Sequence, residues 1–274
     1  MAEESSFTSA AEVRRRGVRG LLAEVSDAIV SVLFPAGCRI CEALLTSASR
    51  VPICAECLAS FQRVPGIFCE ICGRPLPGLS KKEGEPLLCP ACQDRTYAFE
   101  RARSFALYEG AVVRAILLLK FERIEPLGAW FAERLGELVN AEGNALAADV
   151  VVPVPLNRER QRERGYNQAA VLSKPLAKKL RLPHKAVLLM RTRARPDKQV
   201  LSLEERWESV RGAFATRPGS QVDNLRVLLV DDVLTTGATL DACARVLRDA
   251  GAKSVVALTV ARALRNPLPS TVAW

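Results

Sequence analysis

Asp231 and Asp232 stand side by side behind an apolar run, Val227-Leu228-Leu229-Val230, and two residues separate them from Thr235-Thr236-Gly237-Ala238-Thr239. Such a run reads as a strand buried on both faces. In open parallel sheets, ligands bind beyond the carboxyl ends of the strands. The hydroxyl-rich segment opens into a helix, since Leu240, Cys243, Ala244 and Leu247 recur at i, i+3, i+4 and i+7 and Gly251 supplies a stop. Backbone N–H groups at a helix start, with Thr hydroxyls beside them, form an anion pocket. Two carboxylates next to a phosphate pocket call for a ligand that also presents hydroxyls or a divalent metal. A ribose 5-phosphate satisfies both halves. A nucleoside-triphosphatase acidic pair is the competing reading, but no G-x-x-x-x-G-K-[ST] loop occurs anywhere in the chain. A plain helix cap would account for the threonines and leave the acids unexplained.

The second chemistry is thiolate. Eight of the nine cysteines form four C-x-x-C pairs: Cys38/Cys41, Cys54/Cys57, Cys69/Cys72 and Cys89/Cys92. A two-residue gap lets both thiolates of a pair reach one tetrahedral ion, and two pairs complete a four-thiolate shell closed to substrate. One such pair could be a redox motif; four in series read as metal ligands. Two structural zinc ions are expected, with disulfides or an iron–sulfur cluster as the alternatives. Sequential partnering is preferred, although spacing alone does not decide it. Gly73 directly after Cys72 resembles the turn of a zinc knuckle. Cys243 falls on an apolar helical stripe and reads as a small core residue. His184 reads as a surface or loop residue.

The chain has 274 residues, 49% of them hydrophobic and 25% charged, with 39 Lys/Arg against 30 Asp/Glu. That length exceeds one ordinary domain, and the balance suits a polyanionic partner. The excess is local: Arg158 to Arg195 holds twelve Lys/Arg, and only Glu159 and Glu163 as acids. Arg158, Arg160, Arg162 and Arg164 are therefore candidates for single-stranded nucleic acid, set against a solvated charged helix and loop. Tyr166 is the one aromatic stacking partner in that stretch. With no run of about eighteen apolar residues, a membrane span is not expected. The opening residues do not read as a signal peptide, which leaves the cytoplasm as the expected location.

These residues need elements to position them. Residues 11–34 carry a helical stripe that Pro35 and Gly37 end, and 102–108 reads as a short strand. Helices follow at about 110–121 and 126–140. Asp149–Val154 is a buried strand, Asn167–Leu180 a helix despite Pro175, and Ala186–Met190 a short apolar run. Arg226–Val230 and Ser254–Val260 are the last strands, with the Leu240–Leu247 helix between them. Strand–helix–strand units of about thirty residues imply an α/β fold with a parallel sheet. The expected organisation is a helical segment at 1–37, a Cys-rich zinc module at 38–100 and an α/β domain at 101–274.

Val227–Thr239 resembles the thirteen-residue phosphoribosyl-diphosphate (PRPP) signature of type I phosphoribosyltransferases. Over roughly residues 30–262 the chain is similar to the ComF (competence protein F) family. The likeness rests on Phe34-Pro35 before Cys38, Cys69 to Leu76, Leu119-Lys120-Phe121, Val152 to Leu156, Arg164-Gly165-Tyr166-Asn167-Gln168, Gln199 to Arg206, and the signature. One position departs: the family usually has Asn where Ser209 precedes Val210-Arg211-Gly212-Ala213-Phe214.

The resemblance implies a type I phosphoribosyltransferase-like domain and a role in handling imported single-stranded DNA during natural transformation, alongside other competence proteins. It implies that Asp231 and Asp232 contact the ribose hydroxyls, and that Thr235, Thr236, Gly237, Ala238 and Thr239 hold the 5-phosphate. Pro155, Leu156 and Asn157 would sit against the diphosphate. Arg191–Arg206, with Lys198, Gln199 and Arg206, would close over the site. If it is an enzyme, a nucleophile displaces diphosphate from ribose C1, with Mg²⁺ bridging ribose hydroxyls and diphosphate, and Lys198 and Arg206 adding donors. The alternative is a non-catalytic single-stranded-DNA-binding accessory or adaptor protein.

Overall fold

The computed structural model describes residues 36–45, 49–81, 84–193 and 202–264. The helix expected at 11–34 lies outside them. The chain divides into two compact units, one ending at Ser60 and the other starting at Phe61. That division falls within the 38–100 segment and assigns one cysteine cluster to each unit.

In the first unit the knuckle Cys38–Cys41 is closed by Cys38 N–H donating to Ala43 O (2.8 Å). Helix α1 (Ala55–Ala59) starts at Cys54, whose sulfur accepts from the Cys57 amide and so serves as the N-cap.

In the second unit the knuckle Cys69–Cys72 turns through Gly73 at φ +64°, where a Cβ would lie 2.8 Å from the Ala102 carbonyl. A side chain would fit neither the backbone angle nor the space. Helix α2 (Pro90–Gln93) follows Cys89. The sheet is then built from β1 (Arg101–Leu107), β2 (Val150–Pro153), β5 (Arg226–Leu234) and β6 (Ser254–Arg262), all parallel, in the order β1-β6-β5-β2. Between β1 and β2 run α3 (Ala111–Phe121) and α4 (Pro126–Glu142); α5 (Arg158–Arg164) and α6 (Gln168–Leu180) follow β2. Helix α6 packs on α4, β2 and β5. Helix α8 (Ala238–Asp249) packs on β5, β6 and β4 (Phe214–Thr216), which pairs antiparallel with β3 (Leu189–Arg191). Helix α7 (Leu203–Glu208) precedes β4 and is opened by a capping box between Ser202 and Glu205.

The central strands run further than their apolar stretches. Strand β5 continues past Val230 through both acids to Leu234, because β6 offers ladder partners as far as Arg262: Asp231 faces Thr259, Val233 faces Ala261 and Leu234 faces Arg262. The acids mark a change of environment, not the end of backbone pairing. Residues 186–190 were read as one apolar run, yet only Leu189–Arg191 pair, and with a partner strand that periodicity did not reveal. Cys243 is fully buried in the core beside Val227 and Leu229. His184 is half-buried and hydrogen-bonded to Ser173 Oγ (2.8 Å).

Candidate functional site

Successive strand residues point to opposite faces of a sheet, so adjacent acids on β5 are sent to opposite sides. Val227 and Leu229 belong to the α8-side core, which places Asp231 on that side. Asp232 points the other way, where Lys120 Nζ at the end of α3 meets its Oδ2 at 2.6 Å. Asp231 accepts a hydrogen bond from the Asp232 amide (2.9 Å). Burial, then the neighbouring Asp232 charge, push the Asp231 carboxyl up to about 8.

Thr235 and Thr236 follow, and Gly237 takes φ +87° to turn the chain into α8. A Cβ on Gly237 would meet Tyr97 Cε1 at 2.9 Å. The start of α8 carries no side-chain cap, and Ala238 N–H reaches Thr236 Oγ1 at 3.3 Å. The first amides of any helix lack intrahelical acceptors, and here they adjoin the two Thr hydroxyls. Beside this loop, Val154 N–H donates to Val230 O (2.9 Å), which brings Pro155, Leu156 and Asn157 to the same carboxyl edge of the sheet. Asn157 caps α5, and Asn167 Nδ2 donates to Val154 O (3.0 Å). Arg206 on α7 reaches Thr235 Oγ1 through Nη1 at 3.4 Å. Lys198 and Gln199 lie outside the described residues.

Of the four arginines read as a nucleic-acid stretch, Arg164 is turned inward. Its guanidinium lies over Phe121, 4.7 Å from the ring centroid, and donates to Gln168 Oε1 (3.1 Å). Arg162 is exposed. Alternation in a helix spreads these residues over two faces, because neighbours on one face are four apart. Arg160 shares a face with Arg164, and Arg162 lies on the other.

The cysteines gather sequentially, as Cys38/Cys41/Cys54/Cys57 and Cys69/Cys72/Cys89/Cys92, with the sulfurs of each set within 4.8 Å of one another. Cys41–Cys54 and Cys72–Cys89 sulfurs are both 3.6 Å apart. A disulfide requires about 2.05 Å, whereas a zinc tetrathiolate with bonds of about 2.3 Å has edges near 3.8 Å. Both sets therefore fit structural zinc, with every position filled by sulfur. In the second set, hydrogen bonds from Cys69 and Cys92 hold Cys72 far below the usual thiol range, with burial opposing and Arg262 assisting.

Sequence reasoning missed Lys120, Tyr97 and Arg262. Lys120 lies within Leu119-Lys120-Phe121, and Arg262 ends a strand whose other residues are uncharged. A charge at such a position is the available signal. Among the described residues, no helix is long and apolar enough to cross a membrane.

Comparison with known proteins gives the two halves separately and together. Residues 29–93 match the double zinc ribbon domain, and residues 167–271 the phosphoribosyl transferase domain. "DNA utilization protein YhgH" of Salmonella typhi is 31% identical over 236 residues, covering 84% of this chain and 98% of that protein. "Competence protein F" of Haemophilus influenzae is 35% identical over 116 residues, 42% of this chain and only 51% of that protein. "Competence protein ComFC" of Bacillus subtilis is 26% identical over 221 residues, covering 77% of this chain and 84% of that protein.

Proposed function

The chain belongs to the ComF family, and on that premise we propose that Asp231–Thr239 binds PRPP in a protein that serves the use of incoming DNA. The observation that carries this reading is the continuity of the site. One strand delivers a carboxylate to each face of the sheet, and the next residues form a glycine turn into an uncapped helix start. Asp231 and Asp232 would take the ribose hydroxyls, and the amides and hydroxyls of Thr235–Thr239 the 5-phosphate. Pro155–Asn157 would lie against the diphosphate, and Lys198 and Arg206 would add donors. Mg²⁺ bound together with the ligand would neutralise charge on the leaving diphosphate. Phosphoribosyl transfer to an acceptor is the reaction such a site supports: the C1–O bond to diphosphate breaks and the acceptor's bond to C1 forms.

Calorimetric titration of PRPP with Mg²⁺ tests this, and the Asp231 proton sets the sign of its pH dependence. Below about 8 the unliganded site holds that proton, while a ligand with hydroxyl donors or a cation favours the carboxylate. Binding should release up to one proton, and affinity should rise as pH goes from about 7 to about 8, then level off. Titrations in buffers of different ionisation heat measure the release. Proton-neutral, pH-independent binding would count against Asp231 as a ligand contact.

A second reading, contact with single-stranded DNA, is favoured by the charge excess from Arg158 to Arg195 and by the exposure of Arg162. Each neutralised phosphate contributes a log–log salt slope of about −0.7. Replacing Arg158, Arg160 and Arg162 with Gln should weaken all oligonucleotides alike and flatten the slope by about 0.7 for each of the three that contacts a phosphate, roughly 2 if all do. Fluorescence anisotropy across a salt series reads it, and an unchanged slope would move the DNA contact elsewhere.

A further inference from the structure

The second four-cysteine set and the phosphate loop are joined through two side chains that neither the metal chemistry nor the ligand chemistry requires. Arg262, at the end of β6, is only 3% exposed. Its Nη2 donates to Cys72 Sγ at 3.7 Å. Its Nη1 donates to the carbonyls of Leu234 (2.9 Å) and Thr235, the residues that lead into the loop. Tyr97 does the same from the other side. Its ring packs on the cysteine cluster, and its hydroxyl donates to the Thr236 carbonyl (3.2 Å). The adjoining Ala98 amide is fastened to α8 by Asp241 Oδ1 (2.7 Å).

The carbonyls of the loop residues Thr235 and Thr236, and of Leu234 at the end of β5, where the Ala263 amide also donates (2.9 Å), are therefore each held by one of these two side chains. In a trans peptide the N–H of the next residue points opposite to the carbonyl. Holding Leu234, Thr235 and Thr236 by their oxygens turns the amides of Thr235, Thr236 and Gly237 away from the cysteines, to the side a phosphate would occupy. A zinc tetrathiolate is a net dianion, and the buried Arg262 guanidinium is its counter-charge. Dispersing the four sulfurs would leave that guanidinium without its sulfur partner, and the carbonyls it holds would lose a fixed donor.

We propose that Arg262 and Tyr97 are positioning residues through which the metal of the second four-cysteine set determines the affinity of the phosphate loop for its ligand. This rests on the loop being the phosphate site. The coupling runs both ways, since a ligand that tightens with the ordered loop must in turn act on the metal site.

Cadmium replaces zinc at thiolate sites because both accept soft ligands, so ¹¹³Cd NMR of the full chain reports each site in the folded protein. Two resonances are expected, assigned by their loss in Cys41→Ser and Cys92→Ser. Ribose 5-phosphate, used in place of PRPP so that the diphosphate region stays empty, should shift the second-site resonance and leave the first unmoved. Tyr97→Phe keeps the ring but removes the hydroxyl. It should retain both ions, weaken ribose 5-phosphate about tenfold and shrink the shift. Arg262→Gln should do so more strongly, and Tyr97→Phe alone decides the matter if that variant does not fold. If ribose 5-phosphate binds and neither resonance moves, or if Tyr97→Phe binds it as tightly as wild type, the coupling is wrong and the loop assignment stands. If neither ribose 5-phosphate nor PRPP binds, the loop assignment fails and takes the coupling with it.

Discussion

With PRPP and Mg²⁺ at about a hundred times the dissociation constant, the wild-type chain should melt roughly 5–10 °C higher than without them. A ligand that binds only the folded state adds about 2.7 kcal/mol at that excess, and a unit of about 200 residues gains roughly 2–4 °C per kcal/mol. Asp231→Asn combined with Asp232→Asn should erase the shift. Each substitution keeps the side-chain volume while removing the charge that ribose hydroxyls or a cation would meet. The unliganded double variant should remain folded: Asp231 has its carboxyl raised to about 8 by burial and by Asp232, so a neutral side chain suits that position. Asp232 is different, because Asn there leaves the partly buried Lys120 without its carboxylate partner. Some loss of basal melting temperature is therefore expected from that half of the pair. Thermal denaturation followed by circular dichroism reads both effects. A double variant that still gains the full shift would remove the acids from the ligand contact.

Loss of the two zinc ions should have unequal consequences. The sequence alone suggests that chelation would unfold 38–92 as one module. The second set instead sits in the larger compact unit, with Cys69, Cys72, Cys89 and Cys92 all buried. Apparent binding free energies of structural zinc, about 10–16 kcal/mol, are as large as the whole stability of an ordinary domain, about 5–15 kcal/mol. Cys89→Ser with Cys92→Ser should therefore lower the main melting transition by more than about 10 °C. Cys38→Ser with Cys41→Ser should remove one ion while moving that transition by no more than about 2 °C. Elemental analysis counts the ions and calorimetry follows the transition. Equal losses from the two pairs of substitutions would contradict the division, and a metal content unchanged in either would contradict the ligand sets.

What could be read from the sequence was what is local. The C-x-x-C spacing pointed to tetrahedral ions because ligands two residues apart share one knuckle. The acids and the glycine turn were legible because strand, loop and helix start are contiguous between Arg226 and Asp249. The partnering of the cysteine pairs was open until the sulfurs were placed in space. Lys120, Tyr97 and Arg262 act over long separations and leave no local pattern. Tyr97 and Thr236 are 139 residues apart, and Cys72 and Arg262 are 190 apart. The strand limits were underestimated for a related reason: apolarity reports burial, whereas the length of β5 is set by how far β6 can pair with it. The arginines from Arg158 to Arg164 are candidates for one nucleic-acid stretch by their spacing in sequence, but a helical turn of 3.6 residues sends alternate positions to different faces.

The position of a bound phosphoribosyl ligand tests the site most directly. A crystal structure of the full chain with PRPP and Mg²⁺ should place the 5-phosphate against the amides and hydroxyls of Thr235–Thr239. The ribose hydroxyls should lie within hydrogen-bond distance of Asp231 and Asp232, and the diphosphate beside Pro155–Asn157. Density for the ligand at the basic helix Arg158–Arg164 instead, or none anywhere at saturating concentration, would contradict it.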